Sequence, residues 1–329
     1  MYLTKEISET EASASWVKSD TASLFSEPKL LNALGLNSRF IGGYKNEDLL
    51  AVWPLIESDD GFNLPPSFSY YFGPYLVKNN KDEPPYKKYR NNLEVFNCLI
   101  EKVETIAPKI KFSLSPEFLD LRPFQWWNYN EPEKNNFQIN LKYTARYLLK
   151  TDINEEQIIA SFRSDDKRKK IKDIKKKNLL KTRIGVFHDF DFYIKLYNET
   201  ITRSGGSVSE KDLKFLKKLI ELSSKKTNNL VTPLLIELNT EDFNSSLGFQ
   251  LLLIGKNQSY ALAQSTIDKG RELNGNIFLN FKALCYAKEK KILSFDFNGA
   301  NSPNRADDKH AFGAETLQYF NLSLKKDDA

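Results

Sequence analysis

Few side chains in this sequence are equipped for covalent or acid–base chemistry. His188 and His310 are the only histidines, and neither falls in a triad or metal-binding spacing. His188 stands beside Asp189 at an expected strand-to-helix junction, and a surface or structural role suits it best. The two cysteines, Cys98 and Cys285, form no disulfide framework and no Cys/His cluster for zinc. They read as ordinary buried thiols of a reducing compartment. There is no G-x-S-x-G elbow, no P-loop and no dinucleotide fingerprint. Hydrolases with a side-chain nucleophile, kinases and dehydrogenases are therefore disfavoured. A direct transfer reaction passes this filter. When an activated acyl donor meets an amine, the acceptor itself is the nucleophile, and the enzyme supplies positioning and charge stabilisation.

One segment could hold the anionic part of such a donor. After an expected strand, Asp268-Lys269-Gly270-Arg271-Glu272-Leu273-Asn274-Gly275-Asn276 leads into a helix. A strand, a glycine-containing loop and a helix start present free backbone amides and a positive dipole end to a phosphate. Charge is also concentrated. From Arg163 to Arg183 there are eleven basic residues against Asp165, Asp166 and Asp173, although the whole chain carries only +5. Such a run attracts phosphates on nucleic acid, on a nucleotide-linked precursor or on anionic lipid, or it is simply a solvated helix face. Lysine outnumbers arginine, which favours diffuse attraction over base readout and speaks against DNA.

The elements that must position these residues form two similar series. In the first, residues 39–44 and 49–56 flank a polar turn at Asn46, Glu47 and Asp48 and predict a β-hairpin. An aromatic strand over 68–77 follows, then a helix over about 86–107 carrying Leu93, Phe96, Ile100 and Val103, then a strand near 111–114. The second series has a strand over 231–238, a hairpin of 248–254 with 259–267, a helix over about 276–290 and a strand over 292–297. The equivalent of the glycine loop in the first series holds Pro84-Pro85 and no glycine, so any phosphate cradle belongs to the second. Residues 154–183 and 190–226 between them are expected to be mainly helical, with a capping-box start at Ser209-Glu210-Lys211-Asp212. The repeated order suggests an α/β protein built by duplication, 1–135 and 136–329, divided at the polar stretch 131–136.

Several stretches resemble the Fem family of peptidoglycan-bridge aminoacyl ligases and their acyltransferase relatives, which are tandem GNAT folds. Phe162-Arg163-Ser164-Asp165-Asp166-Lys167-Arg168 resembles that family's basic helix, and Thr202-Arg203-Ser204-Gly205-Gly206 its substrate-side arginine. Ser294-Phe295-Asp296-Phe297-Asn298-Gly299-Ala300, then Lys309-His310-Ala311-Phe312-Gly313, looks like its closing D-F-x-G-A and K-x-x-F-G signature. Tyr71-Phe72-Gly73-Pro74 and the run 118–124 before Trp126-Trp127 add to it in the first half. Arg271-Glu272-Leu273-Asn274-Gly275-Asn276 is similar to the GNAT Q/R-x-x-G-x-G/A loop, with Asn274 and Asn276 replacing small residues. No sustained heptad pattern marks the coiled-coil arm carried by many tRNA-using ligases.

The resemblance implies roles for particular residues. Lys309 is implied to contact the donor ester or the developing oxyanion, and Arg203 to hold an acceptor phosphate. Arg163 and Arg168 either bind phosphate or brace the two halves. Arg271, Gly275 and Asn276 would take the donor's pyrophosphate. Tyr260 could stack on or hydrogen-bond the substrate, or be a core tyrosine. Asp296 is expected to anchor its loop, and His310 to be a base or a bystander to Lys309. The implied activity is transfer of an aminoacyl or acyl group from aminoacyl-tRNA or acyl-CoA, as co-substrate and not as a resident cofactor, to an amine or hydroxyl of a peptidoglycan or polysaccharide precursor. A phosphate-bearing small-molecule acceptor is the implied partner, with tRNA and an anionic membrane surface as further candidates. The competing reading is a non-catalytic RNA- or nucleotide-sugar-binding protein of the same fold. With no apolar run on the order of 18 residues and no basic-then-apolar leader, the chain is expected in the cytoplasm.

Overall fold

The computed structural model describes residues 1–58, 61–62, 66–77, 83–107, 109–131, 133–150, 152–225, 230–240 and 246–324. The chain divides into two compact units, 1–142 with 318–329, and 143–317.

Unit 1 opens with β1 (Tyr2–Ile7), α1 (Glu9–Val17), a 3-10 turn (Leu24–Ser26) and α2 (Pro28–Ala33). Then come β2 (Ser38–Lys45), β3 (Asp48–Ser58), β4 (Gly61–Phe62), β5 (Tyr75–Leu76), α3 (Pro85–Ile106), β6 (Ile110–Leu114) and α4 (Arg122–Gln125). β1, β2 and β3 form an antiparallel meander, with β5 on the far side of β3. The β2–β3 hairpin turns at Asn46, whose left-handed backbone (φ 56°) suits asparagine. α3 buries Val95, Phe96, Leu99, Ile100 and Val103 along one stripe. The stripe lies directly on β2, because a Cβ on Gly43 would sit 2.6 Å from Val95 Cγ2. Around it Trp53, Phe112, Phe124 and Phe137 pack edge to face or tilted, with ring centroids 4.9 to 6.2 Å apart.

Unit 2 contains the second half of β7 (Phe137–Leu148), then α5 (Glu155–Ser161), α6 (Asp165–Lys177), β8 (Lys181–Ile184), α7 (Phe190–Arg203) and α8 (Glu210–Ser223). It continues with β9 (Thr232–Asn239), β10 (Ser246–Ile254), β11 (Gln258–Thr266), α9 (Asp268–Glu272), α10 (Gly275–Glu289), β12 (Ser294–Asp296), α11 (Pro303–His310) and the start of β13 (Glu315–Leu324). The strand order is β7-β12-β11-β10-β9-β8, antiparallel except between β11 and β12. α10 is buried on nearly every face, among Ile159, Phe162 and Ile171 on one side and Leu238 and Leu252 on the other. α6 starts on the Ser164 cap with Asp165 and Asp166 and ends in Lys175, Lys176 and Lys177, as the helix dipole favours.

Unit 1 runs strand, two helices, a set of strands, helix and strand, and unit 2 follows the same order with β8, α7 and α8 inserted before its three strands and α9 before α10. The fold is α/β, built from two units of related element order. β1, α1 and α2 of the first unit and β7 of the second escape the sequence reading, whereas α5 and α6 lie in the stretch 154–183 expected to be mainly helical. β8 lies inside a stretch expected to be helical, because its four residues are too few to show alternation. The expected strand 68–77 shrinks to β5, since Pro74 and the buried aromatic run before it follow an irregular path. The expected division at 135/136 with a second half reaching 329 also differs from the compact units. β13 pairs with β6, through Leu322 opposite Phe112, and so its end belongs to unit 1. Lys226, the expected end of the helical stretch after 190, lies outside the described residues.

Candidate functional site

β11 and β12 are neighbours for only three residue pairs, Gln258 with Ser294, Ser259 with Phe295 and Tyr260 with Asp296. Beyond Tyr260, β11 continues to Thr266 paired with β10 alone among the described strands. The two strands thus part like a fork, and a polar cluster occupies the branching point. Asp296 is fully buried; its Oδ1 accepts the Thr144 hydroxyl at 2.5 Å and the Asn298 amide at 2.8 Å. Arg146 Nε lies 3.6 Å from its other oxygen. Asn298 takes a left-handed conformation (φ 54°), and its side-chain amide donates to the carbonyl of Ala261, where β11 leaves β12. Its Oδ1 is buried without a partner.

Lys309 reaches this cluster from α11. Its ammonium donates to the Asn298 carbonyl and, at 2.5 Å, to that of Gly299. A chain of two hydrogen bonds therefore runs from Lys309 through Asn298 to the fork. The lysine that the sequence singles out organises the turn after β12. Asp296 anchors the same turn, as its position suggests. His310 faces elsewhere: Nδ1 lies 3.0 Å from the Ala314 carbonyl and Nε2 3.2 Å from the Thr316 hydroxyl. Tyr260 is 1% exposed, and its hydroxyl donates to Gln258 Oε1 at 2.6 Å.

At the other end of β11 the chain makes α9 before α10, where the sequence suggests an open loop. Arg271 lies on α9 and turns back on it, with Nη1 3.1 Å from the Thr266 carbonyl and Nη2 on Asp268. Gly275 is the first residue of α10. A Cβ there would meet Leu238 Cδ2 at 2.4 Å and the Gly270 carbonyl at 2.8 Å, so only glycine lets the helix start this close to β9. Asn276 is exposed in the first turn, and its carbonyl accepts from Gln264 of β11. The first-turn amides of α10 thus lie beside the free end of β11.

Arg163 and Arg168 flank the start of α6. Arg163 pairs with Glu315, and Arg168 with Asp165 and the Phe162 carbonyl. The same end of α6 is tied to the K-x-x-F-G segment: Lys167 pairs with Asp308, Ser164 donates its amide to Ala311, and Phe162 packs on Phe312 at 5.1 Å. Two stretches distant in sequence therefore meet here. Lys170, Lys175 and Arg183 are ion-paired too, so at least six of the eleven basic residues already have acidic partners. Arg203, exposed in the last turn of α7, donates through Nη2 to the Thr200 hydroxyl at 3.3 Å.

Sequence reasoning missed Thr144, Arg146 and Asn298. Asn298 stood inside the signature as its variable position, and β7 carried no signal beyond a Thr-Ala-Arg alternation. It also missed Glu237, a fully buried carboxylate that receives two bonds from Arg183 at 3.0 and 2.6 Å and one from Tyr193 at 2.6 Å. His188 Nε2 lies 3.6 Å from it, which gives that histidine a place in fastening the β8–α7 turn.

No protein-family profile matches the sequence, and no curated protein matches it significantly. Solved structures do. A crystal structure of FemX is similar over 97% of this chain and 96% of its own, with a TM-score of 0.67 at 13% identity. This chain has the tandem GNAT fold of FemX. A tandem GNAT protein from the clavulanic acid biosynthesis pathway is similar over 99% and 98%, TM-score 0.55 at 7% identity. The C-terminal domain of a putative lysylphosphatidylglycerol synthetase from Agrobacterium fabrum is similar over 97% and 92%, TM-score 0.51 at 9% identity. In this tandem GNAT fold the fork and the α10 start both belong to the second repeat. Among the described residues no helix is long and apolar enough to cross a membrane.

Proposed function

We propose that this protein is an acyltransferase that moves an acyl or aminoacyl group from acyl-CoA or aminoacyl-tRNA to an amine or hydroxyl of a cell-envelope precursor. The observation that carries this reading is the parting of β11 from β12 after Tyr260, with the α10 start beside the free end of β11. An extended amide-bearing donor arm can lie along the unpaired strand edge, and its phosphates can meet the helix amides. The named neighbours add weight, since a tandem GNAT protein and FemX share the whole architecture.

In the reaction the acceptor nitrogen or oxygen attacks the carbonyl carbon. The bond to the ester oxygen or thioester sulfur breaks, and the proton lost by the acceptor passes to the leaving group or to water. No enzyme-bound acyl group forms. Lys309 supports this step by fixing the Asn298–Gly299 turn and by bringing positive charge to the fork, where the carbonyl oxygen gains charge. Arg203 is the acceptor-phosphate contact in this reading, and the unengaged lysines of α6 supply long-range attraction.

Steady-state kinetics test these roles separately. Lys309→Ala is expected to lower kcat by about 10²- to 10³-fold with little change in KM. Arg203→Ala is expected chiefly to raise the acceptor KM. Wild-type kinetics for Lys309→Ala would remove it from the mechanism. The RNA- or nucleotide-sugar-binding alternative predicts saturable binding of those ligands with no transfer from either donor.

A further inference from the structure

Unit 1 carries a groove of 770 Å³ between the outer face of α3 and the turns that follow α4. It is far in sequence from the fork and its chemistry is different. From α3 come Glu101 and Glu104, together with Asn97 on the same face. From the turns come Trp126 and Tyr129, which are 50% and 75% exposed. Rings this large usually gain stability by burial. Phe124 already fills the core beneath them, so their exposure serves no packing need. Trp127 also lines the groove, and its indole N–H is shut off from solvent without an acceptor.

The charge in the groove is one-sided. Among the described lining residues Glu131 and Glu133 join the two α3 carboxylates, and the basic one is Lys134, whose ammonium is paired with Glu131. A cation is therefore drawn in, and the rings strengthen that preference, because an aromatic face attracts positive charge. The guanidinium of Arg122 already lies 5.5 Å from the Trp126 ring centroid. Carboxylates also accept hydroxyl protons, and asparagine side chains both donate and accept. A flat aromatic face suits the C–H face of a pyranose ring. One ligand chemistry uses rings, carboxylates and amides together. We infer that this groove binds an amino-sugar chain, with ring stacking on Trp126 or Tyr129 and ammonium groups against Glu101 and Glu104. A basic peptide would satisfy the charge but leave the ring platforms and amides unused.

Calorimetric titration with three soluble probes tests the inference: a short glucosamine oligomer, the N-acetylated oligomer of equal length, and oligolysine. The glucosamine oligomer should bind saturably, and the N-acetylated one about tenfold more weakly because its ammonium charges are gone. Oligolysine should bind more weakly than the glucosamine oligomer. Trp126→Ala and Glu101→Gln should each weaken glucosamine-oligomer binding by about tenfold or more. Both positions lie on the surface, and unchanged melting temperatures would confirm that the variants fold. Absence of saturable binding at millimolar glucosamine oligomer overturns the proposal. So does tighter binding of oligolysine, or affinity unaffected by both substitutions. The readout is binding and not turnover, so failure here leaves the acyltransfer reading untouched.

Discussion

Replacing Gly275 by alanine tests the geometry of the α10 start, and the sign of the effect is informative. In an ordinary helix glycine-to-alanine gains up to about 1 kcal/mol. Here the new methyl would lie 2.4 Å from Leu238 Cδ2 and 2.8 Å from the Gly270 carbonyl oxygen. Carbon atoms prefer separations of about 3.5 to 4.0 Å. The overlap therefore exceeds what a small rotation of one side chain relieves, and Leu238 is itself fully buried. Overpacking of this kind costs about 1 to 3 kcal/mol, which outweighs the helix preference. In a unit of this size each kcal/mol moves the melting temperature by about 2 to 4 °C, so a net loss of about 1 to 2 kcal/mol corresponds to a fall of about 2 to 8 °C. Thermal unfolding followed by circular dichroism measures it, alongside titration with an acyl-CoA. Because the helix start must shift, donor affinity should fall in parallel. Gly270→Ala is the companion variant, since its Cβ would sit 2.6 Å from the Leu247 carbonyl. A Gly275→Ala protein as stable as the parent, or more so, would refute the packing described for this turn.

Other expectations rest on buried groups and on the basic helix. Glu27 is fully buried, and burial pushes its carboxyl pKa up against the opposing hydrogen bonds from the Leu30 and Lys29 amides. A raised folded-state pKa favours the protonated form, so its contribution is present at low pH and is lost as pH rises through the folded value. The melting temperature of Glu27→Gln, relative to wild type, should therefore increase as the pH rises above the ordinary carboxylate range; a pH-independent difference would contradict this. Burial pushes the Cys285 thiol up to about 12. Ellman's reagent at mildly alkaline pH should label Cys98 first and Cys285 only after unfolding, and equal native rates would refute the burial. Replacing Lys169, Lys172, Lys176 and Lys177 by glutamine should flatten the salt dependence of tRNA binding, whereas an unchanged slope returns α6 to a solvated face.

Much of the architecture was visible in local pattern. The stripe of α3, the β2–β3 hairpin and the β10–β11 pair announce themselves through period and turn chemistry, and their limits fall within a few residues of expectation. What local pattern cannot carry is partnership over distance. β13 pairs with β6 some two hundred residues earlier, and nothing in either strand's alternation names the other. The fork has the same character. Its closing signature is legible, yet Asn298 acquires its role only by bonding Ala261 across the gap between two strands. Lys309 and the start of α6 were singled out separately; their common anchorage to the 296–315 segment emerges only in three dimensions. Tyr260 illustrates the converse, because alternation places it on a strand without saying that the ring would be 1% exposed.

The central claim is direct acyl transfer at the fork of the second repeat. The most direct measurement incubates the purified protein with labelled acyl-CoA or aminoacyl-tRNA and an amine-bearing envelope precursor, and follows product and protein by mass spectrometry. The account predicts acylated acceptor from at least one donor, no acyl group retained on the protein, and loss of product with Lys309→Ala. Absence of transfer from both donor classes, or an acyl group covalently attached to the chain, would contradict it.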